Sequence, residues 1–171
     1  MRCAIAHYHE LALKGRNRDY FEQCLIQNIR TALKDLGVRQ VQNLHSRIRI
    51  DLPPEANADV LRDRLVRVCG IANFSLGRVI PLQIANPDLA SLAEAAVEGI
   101  NAASCTTFRV TTKRADKRVA LTSMDIEKAV GAAVCERTGK TVNLKSPDVT
   151  IYIELLSREA YCAVEKIEGP G

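Results

Sequence analysis

The sequence predicts an α+β protein of two domains. Three observations support this. Apolar residues alternate with a period of two in some stretches and recur every three or four residues in others, so strands and helices both occur. Glycine and proline punctuate the changes of period, as at Gly37, Pro53-Pro54, Gly70 and Gly139. The elements of the first 80 residues follow the order β-α-β-β-α-β, after which Pro81 and Pro87 mark a boundary.

Residues 2–8 read as a first strand, and residues 9–16 as a loop. Asn17 is placed to cap a helix running to about Leu36, with Phe21, Leu25, Ile29, Leu33 and Leu36 forming its apolar stripe. Gly37 suits the position just past its end. Residues 38–44 and 47–52 read as two strands joined by a tight turn at His45-Ser46. In the second strand Ile48, Ile50 and Leu52 alternate with Arg47, Arg49 and Asp51, which predicts one buried and one wet face. A helix over 58–68, stopped by Gly70, and a strand over 73–82 complete a ferredoxin-like split. The second half opens with a helix over 87–100, with Asn86 as its cap and Pro87 in its first turn. A strand over 107–113 follows, then a helix over 123–137 with Ser123 at its cap, no capping-box Glu three residues on, and Ile126, Ala129, Val130, Ala133 and Val134 inward. A hairpin of residues 149–155 and 159–164 closes the pattern. The expected division is therefore 1–80 and 81–171, with the helix from about residue 58 assignable to either domain.

With 171 residues, 47% of them hydrophobic, the chain is able to bury a substantial core. No apolar run approaches the roughly 18 residues that span a membrane, and no secretory leader is recognisable, so a cytoplasmic protein without a membrane partner is expected. Six scattered cysteines without a Cys-x-x-Cys pair read as buried thiols rather than a disulfide framework.

The net charge is only +4, but its distribution is uneven. Arg109, Lys113, Arg114, Lys117 and Arg118 face a single acid, Asp116, so one ten-residue stretch carries an excess equal to that of the whole chain. From Pro147 onward five acids oppose two bases. A localised basic stretch is the footprint of a polyanion binder. Alternation puts Arg109, Thr111 and Lys113 on one strand face opposite Phe108 and Val110, with Arg114, Lys117 and Arg118 expected in the following loop, free to reach. Lys14, Arg16 and Arg18 form a second cluster before the first helix, where cations oppose the helix dipole. Arg137, Lys140 and Lys145 extend the candidates into the later loop, and Arg78 is a weaker one. Aromatic residues are few and Phe108 alternates as core, so backbone and shape are the expected readout rather than stacked bases. His7 and His9, with Cys3 or His45, lack a fourth partner for zinc, and no metal site is expected. No catalytic constellation and no glycine-rich phosphate loop is present.

Three stretches carry a resemblance. They are residues 8–18 (Tyr-His-Glu-Leu-Ala-Leu-Lys-Gly-Arg-Asn-Arg), residues 108–118 (Phe-Arg-Val-Thr-Thr-Lys-Arg-Ala-Asp-Lys-Arg) followed by Ser123 and Gly131, and Ser146-Pro147-Asp148-Val149 followed by the hairpin and Gly169-Pro170-Gly171. Together they resemble the N-terminal ferredoxin-like domain plus THUMP domain of the tRNA 4-thiouridine synthetase family, also called the thiamine-biosynthesis sulfurtransferases. His9 departs from the family's usual glycine, and Val119-Ala120 from its common Phe-Pro.

The resemblance implies a domain arrangement of 1–80 ferredoxin-like and 81–171 THUMP, and a function of holding tRNA by its acceptor end, near the 3′ CCA. A C-terminal ATP-pyrophosphatase domain would then adenylate uridine 8, using ATP and magnesium, with persulfide sulfur from a cysteine desulfurase. Many members also serve thiazole synthesis. No cofactor is expected in the present chain, and the oligomeric state stays open, a homodimer included. The phosphate loop Ser-Gly-Gly-x-Asp-Ser of that catalytic domain is absent from the sequence, and Gly169-Pro170-Gly171 reads as the start of a linker toward it. The expectation is a chain that binds tRNA without modifying it. Two alternatives remain at this point: the tRNA-binding part of another THUMP enzyme, such as a methyltransferase, and a ligand-sensing or oligomerisation module on a ferredoxin-like fold.

Overall fold

The computed structural model describes residues 2–8, 17–44 and 47–171. Two compact units emerge, residues 1–76 together with 166–171, and residues 77–165. The last residues thus return to the first unit, whereas the sequence reading ran the second domain to the chain's end.

The first unit contains β1 (Arg2–His7), α1 (Arg18–Ala32), β2 (Gln40–Asn43), β3 (Arg47–Asp51), α2 (Ala58–Leu65) and the beginning of β4 (Asn73–Pro81). The strands lie in the order β2-β3-β1-β4. β3 runs antiparallel to both neighbours, with Ala4 and Val41 opposite Ile50 and Ala6 opposite Ile48. This is the ferredoxin-like split expected from the element order. Ile48 and Ile50 meet Leu25, Ile29 and Leu33 of α1, Leu61 and Leu65 of α2, and Phe74 in one core. Burying an aliphatic or aromatic side chain of this size contributes about 1.5–3 kcal/mol.

The opposite face of β3 is not wet, which corrects the alternation argument. Arg47 and Asp51 are each only 6% exposed. The Arg49 guanidinium grips Asp51 at 2.6 and 3.1 Å, and this pairing allows the carboxylate to be buried. A short strand, β9 (Ile167–Glu168), pairs antiparallel with Asn73 and Phe74 of β4. Beyond it Gly169 N–H donates to Ala72 O, and Gly171 N–H to Ile71 O. A Cβ on Gly169 would lie 2.1 Å from the Ile71 carbonyl oxygen, so only glycine permits this approach.

The second unit comprises residues 77–81 of β4, α3 (Leu89–Ala102), β5 (Thr107–Arg114), α4 (Ser123–Thr138), β6 (Thr141–Val142), β7 (Val149–Leu155) and β8 (Glu159–Ala163). Its strand order is β4-β8-β7-β5-β6. β7 is antiparallel to β8 and parallel to β5. Phe108 and Val110 of β5 and Ile151, Ile153 and Leu155 of β7 share a core with Ile100 of α3 and Ile126, Val130 and Val134 of α4.

Several helix caps differ from the sequence reading. Asn17 makes no side-chain capping bond, and α1 gives way at Leu33 to a turn that ends at Gly37, whose φ is 64°. α3 is capped by Asp88, which accepts from Ser91 N–H, rather than by Asn86. α4 is capped by Thr122, one residue before Ser123. That shift makes Asp125 the third helical residue and completes a capping box.

Of the cysteines, Cys3 and Cys162 are buried, Cys24, Cys105 and Cys135 are half-buried and Cys69 is exposed; none forms a disulfide among the described residues. Among those residues no helix is long and apolar enough to cross a membrane.

Candidate nucleic-acid interface

β5 organises the basic stretch of the second unit. Its inward face is apolar at Phe108 and Val110, while Arg109, Thr111 and Lys113 align with Thr150, Tyr152 and Glu154 of β7. Arg109 is half-buried, and its Nε donates to Thr150 Oγ1 at 3.1 Å. Lys113 projects from the C-terminal end of the strand with a side chain 71% exposed, its Nζ 3.8 Å from Glu154 Oε1. At that distance and exposure the pairing is weak, and the ammonium remains available.

Arg114 behaves differently from its expected role as a reaching loop residue. It is the last residue of β5, and its Nη1 donates to the carbonyls of Val119 and Leu121 at 3.3 and 3.0 Å. Strand alternation turns it to the helix side, so it fastens the returning loop from beneath. Val119 is buried, Ala120 N–H donates to Ile84 O at 3.0 Å, and Ala115 N–H to Leu155 O at 2.8 Å. Between these anchors Lys117 is exposed and has no polar partner among the described residues. Arg118 lies against Asp116, with Nε–Oδ1 3.0 Å and Nη2–Oδ2 2.6 Å, while its side chain stays 74% exposed. The Arg118 hydrogen bonds hold the Asp116 carboxyl down at about 2. Asp116 therefore orients the Nε–Nη2 side of the guanidinium and leaves Nη1 without a hydrogen-bond partner among the described residues. The carboxylate of Asp125 already occupies the start of α4, accepting from Thr122 N–H and Oγ1 at 2.9 and 2.6 Å. That leaves little room for a phosphate at Ser123.

The remaining candidates separate. Lys140 is half-buried, and its Nζ donates to Ile100 O at 2.7 Å and Ala103 O at 3.3 Å. It caps the negative end of α3 and is not available as expected. Arg137 and Lys145 are exposed, but they lie near β6 and the start of β7, by the N-terminal end of β5. The six residue steps from Thr107 to Lys113, at a rise of about 3.3 Å each, put them roughly 20 Å from Lys113. Arg78 is engaged by Glu98.

In the first unit Lys14, Arg16, His9 and His45 lie outside the described residues. Arg18 is tied down: its Nε donates to Glu22 Oε1 at 2.7 Å, and the Tyr8 hydroxyl reaches the same oxygen at 2.7 Å. Asn43 Nδ2 bonds the other carboxylate oxygen. Burial acts to raise the Glu22 pKa, but these three donors outweigh it and the net shift is downward. The network joins α1 to β1 and β2.

Charge counting alone also missed Asp148. It accepts from the backbone N–H groups of Thr106 and Thr107, each at 2.9 Å, and those bonds hold its carboxyl at about 2. It locks the start of β7 to the start of β5, which explains the Ser-Pro-Asp-Val stretch as architecture.

A split β-α-β-β-α-β unit followed by this second α/β unit defines a two-domain α+β protein whose first domain is ferredoxin-like. The family comparisons assign both parts. Residues 3–75 match the ThiI ferredoxin-like domain, and residues 86–165 match the THUMP domain. The chain is 33% identical over 170 residues to the probable tRNA sulfurtransferase of Brevibacillus brevis, a match covering 98% of this chain and 41% of the relative. It superposes on PH1313 from Pyrococcus horikoshii with a TM-score of 0.83 and 29% identity, over the whole chain and 56% of that protein. A 4-thiouridine synthetase solved in complex with RNA and ATP has the same fold, with a TM-score of 0.83 at 24% identity, covering 99% of this chain and 42% of that one. The chain belongs to the tRNA sulfurtransferase family, in its ferredoxin-like plus THUMP region. It spans about two fifths of the length of the curated relative it matches.

Proposed function

We propose that this chain holds tRNA, with the cations at the C-terminal end of β5 gripping the phosphate backbone of the acceptor end near the 3′ CCA, and that this grip positions uridine 8 for thiolation. The carrying observation is the set of exposed cations: Lys113 at the end of β5, and Lys117 and Arg118 on the following loop, which Arg114 and Val119 anchor. Lysines serve as mobile point charges, whereas Arg118 offers a pre-oriented planar donor. Fixing the loop before binding lowers the ordering cost of the contact. Phe108 is fully buried and β5 exposes no aromatic ring, so backbone and shape dominate over stacked bases. The name of the Brevibacillus relative supports tRNA as the polyanion. ATP- and magnesium-dependent adenylation, with sulfur from a cysteine desulfurase, belongs to the same reading but has no phosphate loop within these 171 residues.

Fluorescence anisotropy with intact tRNA, tRNA lacking its 3′ CCA and duplex DNA, across a salt series, tests the proposal. Preference for intact tRNA is expected. Equal, steeply salt-dependent binding to all three would reduce the surface to a general polyanion patch, and absence of binding at low salt would refute the reading.

A further inference from the structure

A second group of cations surrounds a concave site in the first unit. α1 ends at Ala32, and the chain turns through Gly37 into β2, the outermost strand of that unit's sheet order. The turn leaves a cleft of about 320 Å³ between the helix end and the strand. Leu33, Val38 and Val41 form apolar walls, and Arg30, Lys34 and Arg39, all exposed, supply the polar lining together with Gln40. Among the described residues no carboxylate lines the cleft.

The acids closest along the chain are committed elsewhere. Asp35, next to Lys34, is gripped by both Nη atoms of Arg64 from α2, with Nη2–Oδ2 2.8 Å, and this pairing holds its carboxyl at about 2. Asp51, whose carbonyl accepts from Arg39 N–H, has its carboxylate taken by Arg49. The cleft's three cations therefore have no acid among its lining residues to balance them. Arg30 makes one long bond across the cleft, Nη2 to Val41 O at 3.4 Å, which leaves most of its donors unused.

Two ordinary explanations cover only part of the arrangement. Cations in the last turn of a helix complement its dipole, which suits Arg30 and Lys34. A cation guarding an edge strand suits Arg39. Neither explains why all three line one concave space with no carboxylate among its described lining residues. Such a site matches an anion with several acceptor oxygens, because forked guanidinium donors and an ammonium together satisfy a phosphate group.

We infer that this cleft is a phosphate-binding site and that its occupant is a backbone phosphodiester of bound RNA. The RNA half rests on the proposed function above; the phosphate half does not. It would give the first unit a phosphate contact of its own, separate from the β5 loop.

The test follows the amide resonances of Gly37, Val38, Gln40 and Val41 in the full chain, titrated separately with inorganic phosphate and with tRNA. Both are expected to move these signals saturably. Arg30→Gln with Lys34→Gln should abolish the phosphate response and lower the log–log salt slope of tRNA binding by about 1.4–1.8. Lys34→Gln with Arg39→Gln serves as a second variant that leaves the Arg30–Val41 bond intact. If phosphate moves the signals while tRNA binds without moving them, the occupant is a free phosphorylated molecule and the RNA half is overturned. If tRNA does not bind at all, the proposed function fails, and the phosphate arm alone judges the cleft. Signals unmoved by inorganic phosphate, with a wild-type tRNA slope in both folded variants, would overturn the inference.

Discussion

Arg114→Lys keeps the charge at the end of β5 but cannot reproduce the planar donor that spans two carbonyls. In the wild type Nη1 donates to Val119 O at 3.3 Å and Leu121 O at 3.0 Å from a half-buried position. Hydrogen bonds from charged groups contribute about 1.5–3 kcal/mol each when well sheltered. Partial exposure reduces this, and a lysine can retain one bond, so the expected net loss is about 1–2 kcal/mol. For a unit of this size each kcal/mol lowers the melting midpoint by about 4–8 °C. The change should register in a circular dichroism melt. It should register locally as faster amide exchange at Ala120, which lies between the two clamped carbonyls and donates to Ile84 O. A variant that melts and exchanges like the wild type would refute the fastening role. An Arg114→Ala variant with unchanged stability but a salt slope reduced by about 0.7–0.9 would restore Arg114 as a phosphate ligand.

Gly169→Ala places a methyl 2.1 Å from the Ile71 carbonyl oxygen, and the obstacle is backbone. A loss of about 1–3 kcal/mol in urea unfolding is expected, with the amides of Ala72 and Asn73 exchanging faster. Glu22→Ala removes the common acceptor of Tyr8, Arg18 and Asn43, leaving the buried Tyr8 hydroxyl short of its closest partner. A cost of about 2–4 kcal/mol is expected in the same assay, with Glu22→Gln costing less. Asp148 has a folded pKa of about 2, below its unfolded value near 3.9, so the stability it contributes is present above that unfolded value. It should be lost as pH falls through about 2, and Asp148→Asn should flatten that acid-side decline in melting temperature.

The two ferredoxin-like helices and the alternating strands were legible because burial imposes a period. Leu25, Ile29 and Leu33 face the first core, and Ile126, Val130 and Val134 the second, as their spacing indicates. Two-residue strands such as β6 and β9 are too short to display a period and are defined by their partners alone. Cap positions slipped by one or two residues because Thr122-Ser123 and Asn86-Pro87-Asp88 offer neighbouring residues of equal capping chemistry.

The basic site was legible as a charge excess but not as a set of roles. Arg114, Lys140 and Arg18 are cations in sequence like Lys113 and Lys117, yet each is spent on a carbonyl or carboxylate that folding brings from elsewhere. Lys140 reaches Ile100, 40 residues away, and no local pattern announces such a partner. Buried Glu22 was hidden for the same reason, because its donors lie just past β1, in β2 and one helical turn away.

The most direct test of the RNA-holding role is the salt dependence of tRNA binding by Lys113→Ala with Lys117→Ala, measured by anisotropy on a protein shown to be folded. Both side chains are exposed at the end of β5, and neither anchors the loop. The log–log slope should fall by about 1.4–1.8, with weaker binding at every salt concentration and an unchanged melting temperature. Wild-type slope and affinity in the folded variant would contradict the assignment and place the tRNA on another surface.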